Sequence, residues 1–363
     1  MLLTGQAGTG KTYLLNRFID YLKDREIRVG LTASTGIAAT HLGGQTIHSW
    51  AGFGIKDRLT DNDLTNIIND LNISERLLEA KVLIIDEISM LHSYQLDMVD
   101  QIARAVREDG RPFGGLQIVL CGDFYQLPPV AKDQWGGKFV TDSSVWKKMN
   151  IQICYLCRQY RQADTKLLTI LNEIRGNCVS NDSISRLAGR VYAGFPAGVE
   201  STKLYTHNAI ADAYNLDKLE KIESKSQTYH MKHGGNIKIV RNLIRDCLAP
   251  EELILKKGAV VMFVRNNMAK GYVNGTTGRV VGFNDDDFPV IEIFSSKKKV
   301  TAEPEKWKVE DGAQIVAWIA QIPLRLAWAI TVHKSQGMTL EYVEIDLSRA
   351  FTYSLGYVAL SRA

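Results

Sequence analysis

The sequence predicts an α/β fold of two lobes, each a parallel sheet covered by helices. Three observations lead there. Short, wholly apolar runs end in loops rich in glycine, hydroxyl or carboxylate; amphipathic segments of helical period lie between them; and the alternation returns in the second half of the chain. With 363 residues, 45% of them apolar, the chain is too long for one compact core and long enough for two medium domains with small insertions.

Met1 to Thr4 reads as a buried strand, and Leu14, Leu15, Phe18, Ile19 and Leu22 as a helical stripe; between them lies Gly5-Gln6-Ala7-Gly8-Thr9-Gly10-Lys11-Thr12. A glycine loop between strand and helix is the setting in which this spacing binds phosphate. Glycines let the N–H groups of Gly8, Thr9 and Gly10 turn inward, and the helix adds the positive end of its dipole. Lys11 then suits the β- and γ-phosphates of a nucleotide, and the Thr12 hydroxyl suits Mg²⁺. A merely flexible turn is the plainer alternative, and the strand and helix around it argue against it.

Arg28 to Ala33 is the second strand. It ends in Ser34-Thr35-Gly36, a turn that shares the crevice beyond the strand ends, and residues 37–42 begin a helix. Gly43 to Trp50 follows, after which the rhythm breaks into polar, loosely helical sequence, read as an insertion over 51–78. Lys81 to Ile85 is a strand buried on both faces that ends in Asp86-Glu87. Asp86 suits Mg²⁺ through its water shell, and Glu87 suits polarising an attacking water. Leu96, Val99, Ile102, Ala103 and Val106 mark a helix, and Arg111 to Gly115 a turn. The strand Leu116 to Leu120 then delivers Gly122-Asp123-Phe124-Tyr125-Gln126-Leu127-Pro128-Pro129 to the same sheet edge. Gln126 both donates and accepts, which suits it to a γ-phosphate or its attacking water; local loop bonding is the alternative.

The second lobe is expected to start at Ile151, with Tyr160-Arg161-Gln162 after its first strand and a helix marked by Leu167, Ile170, Leu171 and Ile174. Leu204 to Asn208 and Ala259 to Val264 read as further strands. From Gly271 the character changes: Asn274-Gly275 is a hairpin signal, Asn284-Asp285-Asp286-Asp287 a polar turn, and Val290 to Phe294 a short strand, together a small all-β module. Its Lys297-Lys298-Lys299 run suits phosphates or, more plainly, a solvated loop. The α/β pattern resumes near Ala317. Thr331-Val332-His333-Lys334-Ser335-Gln336-Gly337-Met338-Thr339 precedes the strand Val343 to Leu347, and Tyr353 to Arg362 is a closing helix. The expected domains are residues 1–50 with 79–150, an insertion at 51–78, residues 151–270 with 316–363, and a β insertion at 271–315.

A net charge of +4 permits a nucleic-acid partner without demanding one. Five cysteines argue against a disulfide framework, and the lone Cys154/Cys157 pair lacks two further zinc ligands, so packing is expected there. His230 and His233 lack partners in the same way. Neither a signal peptide nor a membrane-length apolar run is visible, so the chain reads as intracellular: the cytoplasm of a prokaryote, or the nucleus or mitochondrion of a eukaryote.

The ordered series from Gly5 to Thr12, Thr32 to Ala39, Gly44 to Trp50, Ile84 to Ser89, Val119 to Val130, Tyr160 to Gly176, Thr331 to Thr339 and Tyr357 to Arg362 resembles superfamily-one DNA helicases of the PIF (petite integration frequency) family, with RecD-like helicases as cousins. The run Ile102 to Arg107, then Pro112-Phe113-Gly114-Gly115, is similar to that family's own signature. The resemblance implies two RecA-like P-loop NTPase lobes, a wedge insertion in the first and an SH3-like insertion in the second. It implies ATP and Mg²⁺, with single-stranded DNA and single-strand/duplex junctions as partners of a monomer, no membrane, and 5′-to-3′ movement.

By position, Lys11, Glu87, Gln126, Arg161 and Arg362 are implied to be catalytic, the two arginines as fingers reaching the γ-phosphate. Gly8, Thr9, Gly10, Lys11, Thr12, Tyr160 and Gly337 are implied to hold nucleotide, with Tyr160 on adenine, and Thr12 and Asp86 to hold the metal. Thr35, Gly36, His48, His333 and Lys334 are implied to hold DNA. Trp50, Phe53 and Tyr125 suit base stacking or, taken singly, a core. The family's upstream glutamine motif falls outside this chain, and the family continues beyond Arg362. Three rivals share the motifs: a translocase that does not unwind, a slow nucleotide-switched DNA-binding protein, and an RNA helicase.

Overall fold

The computed structural model describes residues 1–129, 138–162, 164–196, 200–311, 314–350, 352 and 354–363. They form two compact units. The first comprises Met1–Tyr160, Gly234–Cys247 and Trp307–Trp318; the second comprises Arg161–His233, Leu248–Lys306 and Ile319–Ala363.

In the first unit the chain runs through β1 (Leu2–Gly5), α1 (Lys11–Lys23), β2 (Val29–Ala33), α2 (Gly36–Leu42), β3 (Gln45–Thr46), α3 (Ile47–Ala51), α4 (Asp61–Asn69), α5 (Leu71–Glu79), β4 (Val82–Asp86), α6 (Ser93–Arg107), β5 (Gln117–Gly122), α7 (Ser144–Lys148) and β6 (Ile153–Leu156). The strands make one parallel sheet in the order β3-β2-β4-β5-β1-β6. Alternate residues of β4 serve opposite layers, which is why its sequence is apolar without interruption. Val82 and Ile84 join Leu15, Ile19 and Leu22 of α1, whereas Leu83 and Ile85 join Leu96, Val99, Ile102 and Val106 of α6. The residues at 51–78 are not loose: α4 and α5 pack on α6, and Ile67 and Leu77 are buried in that second layer.

β6 corrects the expected boundary. Read as the first strand of the second lobe, it pairs in parallel with β1, from Leu2 opposite Ile153 to Gly5 opposite Leu156, and is the edge strand of the first sheet. An apolar run carries no mark of which sheet it joins. Cys154 and Cys157, expected to be packed, are exposed on this edge.

The second unit holds α8 (Thr165–Arg175), α9 (Asn181–Ala188), β7 (Thr202–Tyr205), α10 (Asn208–Glu220) and β8 (Ser226–His230). The chain then passes through β9 (Lys232–Gly235), whose residues are divided between the two units, and α11 (Ile237–Asp246), which belongs to the first; back in the second come β10 (Glu252–Lys256), β11 (Val260–Phe263), β12 (Thr277–Phe283), β13 (Pro289–Ile293) and β14 (Lys299–Thr301). β15 (Glu305–Asp311) and β16 (Gln314–Gln321) lie mostly in the first unit, and the second continues with β17 (Leu324–Leu326), β18 (Ala329–Thr331), β19 (Val343–Ile345) and α12 (Ser354–Leu360); Tyr353 lies outside the described residues. β18, β7 and β19 form a parallel sheet. Asn215 of α10 is zipped to it, donating to the Ala329 carbonyl at 2.8 Å and accepting from the Ala329 N–H at 2.9 Å.

The β module is larger than the sequence indicated. Its five-stranded sheet, in the order β14-β13-β12-β11-β17, takes in Val260–Phe263, expected in the lobe, and Leu324–Leu326. Within it Asn284 to Asp287 form the β12–β13 hairpin turn, with Asp287 at φ 62°. Asn274-Gly275 is the centre of a turn closed by Thr276 N–H to the Val273 carbonyl at 2.9 Å, but it leads into β12 from a longer loop rather than closing a two-residue hairpin.

Candidate nucleotide and nucleic-acid site

The loop after β1 has the backbone geometry of an anion cradle. Gly8 and Gly10 take positive φ values of 85° and 83°, which a side chain would strain. α1 starts at Lys11 with no side-chain cap, so its first N–H groups are available to phosphate oxygens. Lys11 Nζ donates to the carbonyls of Gly5 and Gln6, each at 3.0 Å, a position from which the ammonium can pass to a ligand in the same loop. Tyr160 lies beside the cradle: its N–H donates to the Gly8 carbonyl at 3.0 Å, and its ring is exposed rather than in the core. The Arg158 guanidinium stands 5.2 Å from that ring's centroid. Gln159 bonds Ala7 O in the same loop, a contact the sequence reading missed.

β4 brings Asp86 and Glu87 to this edge. Asp86 is buried, and burial pushes its carboxyl above the ordinary range; bonds from the Glu87 N–H and the Cys121 thiol, and the charge of Lys11, oppose that. The Glu87 N–H reaches Asp86 Oδ1 at 2.8 Å. Glu87 itself lies in the left-handed region at φ 51°, ψ 44°, a strained conformation that turns its side chain away from the strand's alternation. Gln126, from the loop after β5, is buried, and its Nε2 donates to Asp123 Oδ2 at 3.2 Å.

The Thr12 hydroxyl at the start of α1 and the buried Asp86 carboxyl, close enough to Lys11 to feel its charge, are each oxygen donors of the kind a hard divalent cation such as Mg²⁺ takes.

Along the same edge, Thr35 caps α2 by accepting from the Ala38 N–H at 3.3 Å. Gly36 has no room for a side chain, because a Cβ there would stand 1.8 Å from Asp246 Cγ of α11. The ring of His48 is held by Gln95 at 2.9 Å, and burial lowers its pKa. Trp50 and Phe53 are core residues, whereas Tyr125 is exposed. The packing of α11 on α2 and the bond from Asn242 Nδ2 to Ser49 Oγ of α3 at 3.3 Å were not visible in the sequence, since nearly two hundred residues separate the partners.

In the second unit, one turn gathers the expected arginines. Arg161 donates to the Gly337 and Ser361 carbonyls at 3.3 and 3.4 Å. Arg362 is almost wholly buried, donating to Val358 O at 3.0 Å, Ser335 O at 3.3 Å, Met338 O at 3.5 Å and Ser361 Oγ at 2.7 Å. A guanidinium so braced ties the closing helix to the Ser335–Met338 turn. Gly337, at φ 78°, is the exposed tip of that turn. His333 and Lys334 sit at its start with pKa values lowered, first by burial and then by His207 and Arg325 respectively. Thr331 Oγ1 meets Asn208 Oδ1 at 3.2 Å, so Thr206, His207 and Asn208 at the end of β7 share this edge. The sequence places all three inside a strand, whereas β7 ends at Tyr205 and Asn208 opens α10; the polar run was the available signal.

Residues 1–175 match the family profile described as PIF1-like helicase, and residues 242–283 that of the DNA helicase Pif1 2B domain. The chain is 42% identical, over 422 aligned residues, to a Psychrobacter protein named ATP-dependent DNA helicase Pif1, covering all of this chain and 64% of that protein. It is similar to the crystal structure of Pif1 helicase from Candida albicans at TM-score 0.75 and 35% identity, covering 100% of this chain and 89% of that one. It is similar, at TM-score 0.62 and 30% identity over 100% and 86% of the two chains, to Bacteroides Pif1 solved with ADP-AlF3 and single-stranded DNA. The chain spans about three-fifths of the length of the curated relatives it matches. On these matches and this fold, the chain belongs to the PIF1-like helicase family.

Proposed function

We propose that this chain hydrolyses ATP and uses the reaction to move along single-stranded DNA in the 5′-to-3′ direction as a monomer, separating duplex at single-strand junctions. The observation that carries this reading is the gathering of Lys11, Asp86, Glu87 and Gln126 on one sheet edge, next to the Thr35–Gly36 turn and His48. The names of the Psychrobacter and Bacteroides relatives support it.

The triphosphate lies in the Gly5–Thr12 cradle, where Lys11 exchanges two carbonyls for phosphate oxygens. Thr12 and Asp86 would hold Mg²⁺, which neutralises phosphate charge when bound. Glu87 takes the proton of the attacking water, and Gln126, released from Asp123, orients that water. Tyr160 stacks on the base. Arg161 exchanges the Gly337 and Ser361 carbonyls for the γ-phosphate, while Arg362 and Gly337 keep its turn in shape. Thr35, Gly36, His48, His333 and Lys334 hold the strand by its phosphates, which positions it without reading sequence.

The test is ATP turnover with Mg²⁺, with and without an oligothymidylate. Turnover is expected to rise with the oligonucleotide and to vanish in Lys11→Ala. Hydrolysis indifferent to single strands would overturn the reading.

A further inference from the structure

β2 and β4 end together, with Ala33 opposite Asp86 as the last pair of their ladder. One residue further on, Ser34 makes two bonds to β4's exit. Its N–H donates to the Asp86 carbonyl at 3.0 Å, and its hydroxyl donates to the Glu87 carbonyl at 2.6 Å. The Glu87 carbonyl also accepts from the Met90 N–H at 3.1 Å. Glu87 is a non-glycine residue at φ 51°, a backbone state held only when its surroundings over-determine it. The Glu87 carbonyl is therefore held from two sides, by its own following turn and by Ser34, and because φ and ψ are confined to the narrow left-handed well, its Cα–Cβ bond is held with it.

The other neighbour of Ser34 is Thr35. Thr35 belongs to the first turn of α2, accepting from the Ala38 N–H with its side chain and from the Ala39 N–H with its carbonyl at 3.0 Å. A force on the Thr35–Gly36 turn thus reaches the Glu87 carbonyl through one residue and one short hydrogen bond, with no flexible segment between them.

We propose that Ser34 is a positioning residue through which a strand bound at Thr35–Gly36 sets the aim of the Glu87 carboxylate. Ser34 touches neither nucleotide nor DNA; it transmits. The inference rests on the functional reading above, which makes Thr35–Gly36 the DNA contact and Glu87 the general base. It gives DNA-stimulated hydrolysis a physical route within the first unit.

The test compares Ser34→Ala and Ser34→Thr with the unaltered chain. ATP turnover is measured without and with saturating oligothymidylate, and oligonucleotide affinity is followed by fluorescence anisotropy. Ser34→Ala is expected to lower the ratio of stimulated to unstimulated turnover by about tenfold, the scale of one lost hydrogen bond. Oligonucleotide affinity is expected to stay within about twofold, as for sites that do not share a contact. Ser34→Thr, which keeps the hydroxyl, is expected to restore the ratio. An unchanged ratio in Ser34→Ala, equal loss in both conditions, or a loss that merely follows weaker oligonucleotide binding would overturn the proposal. An unaltered chain that single strands fail to stimulate would overturn the functional reading beneath it, and that result appears before any substitution is made.

Discussion

Glu87 shows how one backbone angle serves chemistry. A residue continuing β4 would alternate into the sheet's packing; the left-handed turn at φ 51° lifts Glu87 out of it beside Asp86. Replacing it with glutamine preserves shape and removes the proposed base. Glu87→Gln is expected to cut ATP turnover by about 10²–10⁴-fold while nucleotide binding persists, read by stopped turnover assays and fluorescent-nucleotide titration. The histidines give a pH signature. His48 and His333 both have pKa values below their ordinary 6.5, chiefly through burial. For a histidine with a lowered folded pKa, the unfolded chain binds more protons between the two values, so stability is lost as pH falls below about 6.5. His48 faces Gln95, His92, Arg245 and Asp246, while His333 faces His207. The urea midpoint is expected to fall between about pH 7 and pH 5.5, and to fall less in a His48→Gln, His333→Gln variant.

At the scale of elements, the Pro112-Phe113-Gly114-Gly115 run is structural. Phe113 is fully buried under α6; its N–H donates to Asp100 Oδ1 at 2.7 Å, and Arg107 Nε donates to the Gly114 carbonyl at 2.7 Å. A Cβ at Gly114 would meet the Ala103 carbonyl at 2.6 Å, so only glycine lets the turn approach the helix. Phe113→Ala is expected to cost about 3–5 kcal/mol of stability by denaturant unfolding. The insertion before β4 tells a second story. Ile67 and Leu77 anchor it in the core, so deleting 51–78 would open the lobe, whereas Ile55 and Leu71 stand 97% and 79% exposed. If this element parts the strands, Ile55→Ser with Leu71→Ser is expected to slow strand separation several-fold while DNA-stimulated hydrolysis remains, a comparison that also separates unwinding from translocation alone. These elements were partly legible. The phosphate loop, β2, β4 and β5 announced themselves because each joins an uninterrupted apolar run to a chemically distinctive end. α4 and α5 showed only as loosely helical sequence, since polar helices on a surface carry a weak period and owe their place to two or three buried anchors.

For the whole molecule, local pattern revealed two α/β units but not which strand goes where. β6 joins β1's sheet and β11 joins the β module because partner choice is a long-range matter that a short apolar run cannot encode. The same limit hid α11: its amphipathic face is plain in Ile237–Asp246, yet nothing local says that it covers α2. The candidate site was more legible than the topology, because phosphate binding and hydrolysis demand particular residue types at fixed spacing. Its arginines were legible in position but not in posture, since the burial of Arg362 depends on carbonyls more than twenty residues upstream.

The account as a whole predicts a motor, and strand separation tests it most directly. A duplex with a 5′ single-stranded tail, one with a 3′ tail, and a blunt duplex are offered to the unaltered chain and to Glu87→Gln with ATP and Mg²⁺. The unaltered chain is expected to open the 5′-tailed duplex alone, and Glu87→Gln to open none. Brisk DNA-stimulated hydrolysis with no strand separation on any of the three would contradict it.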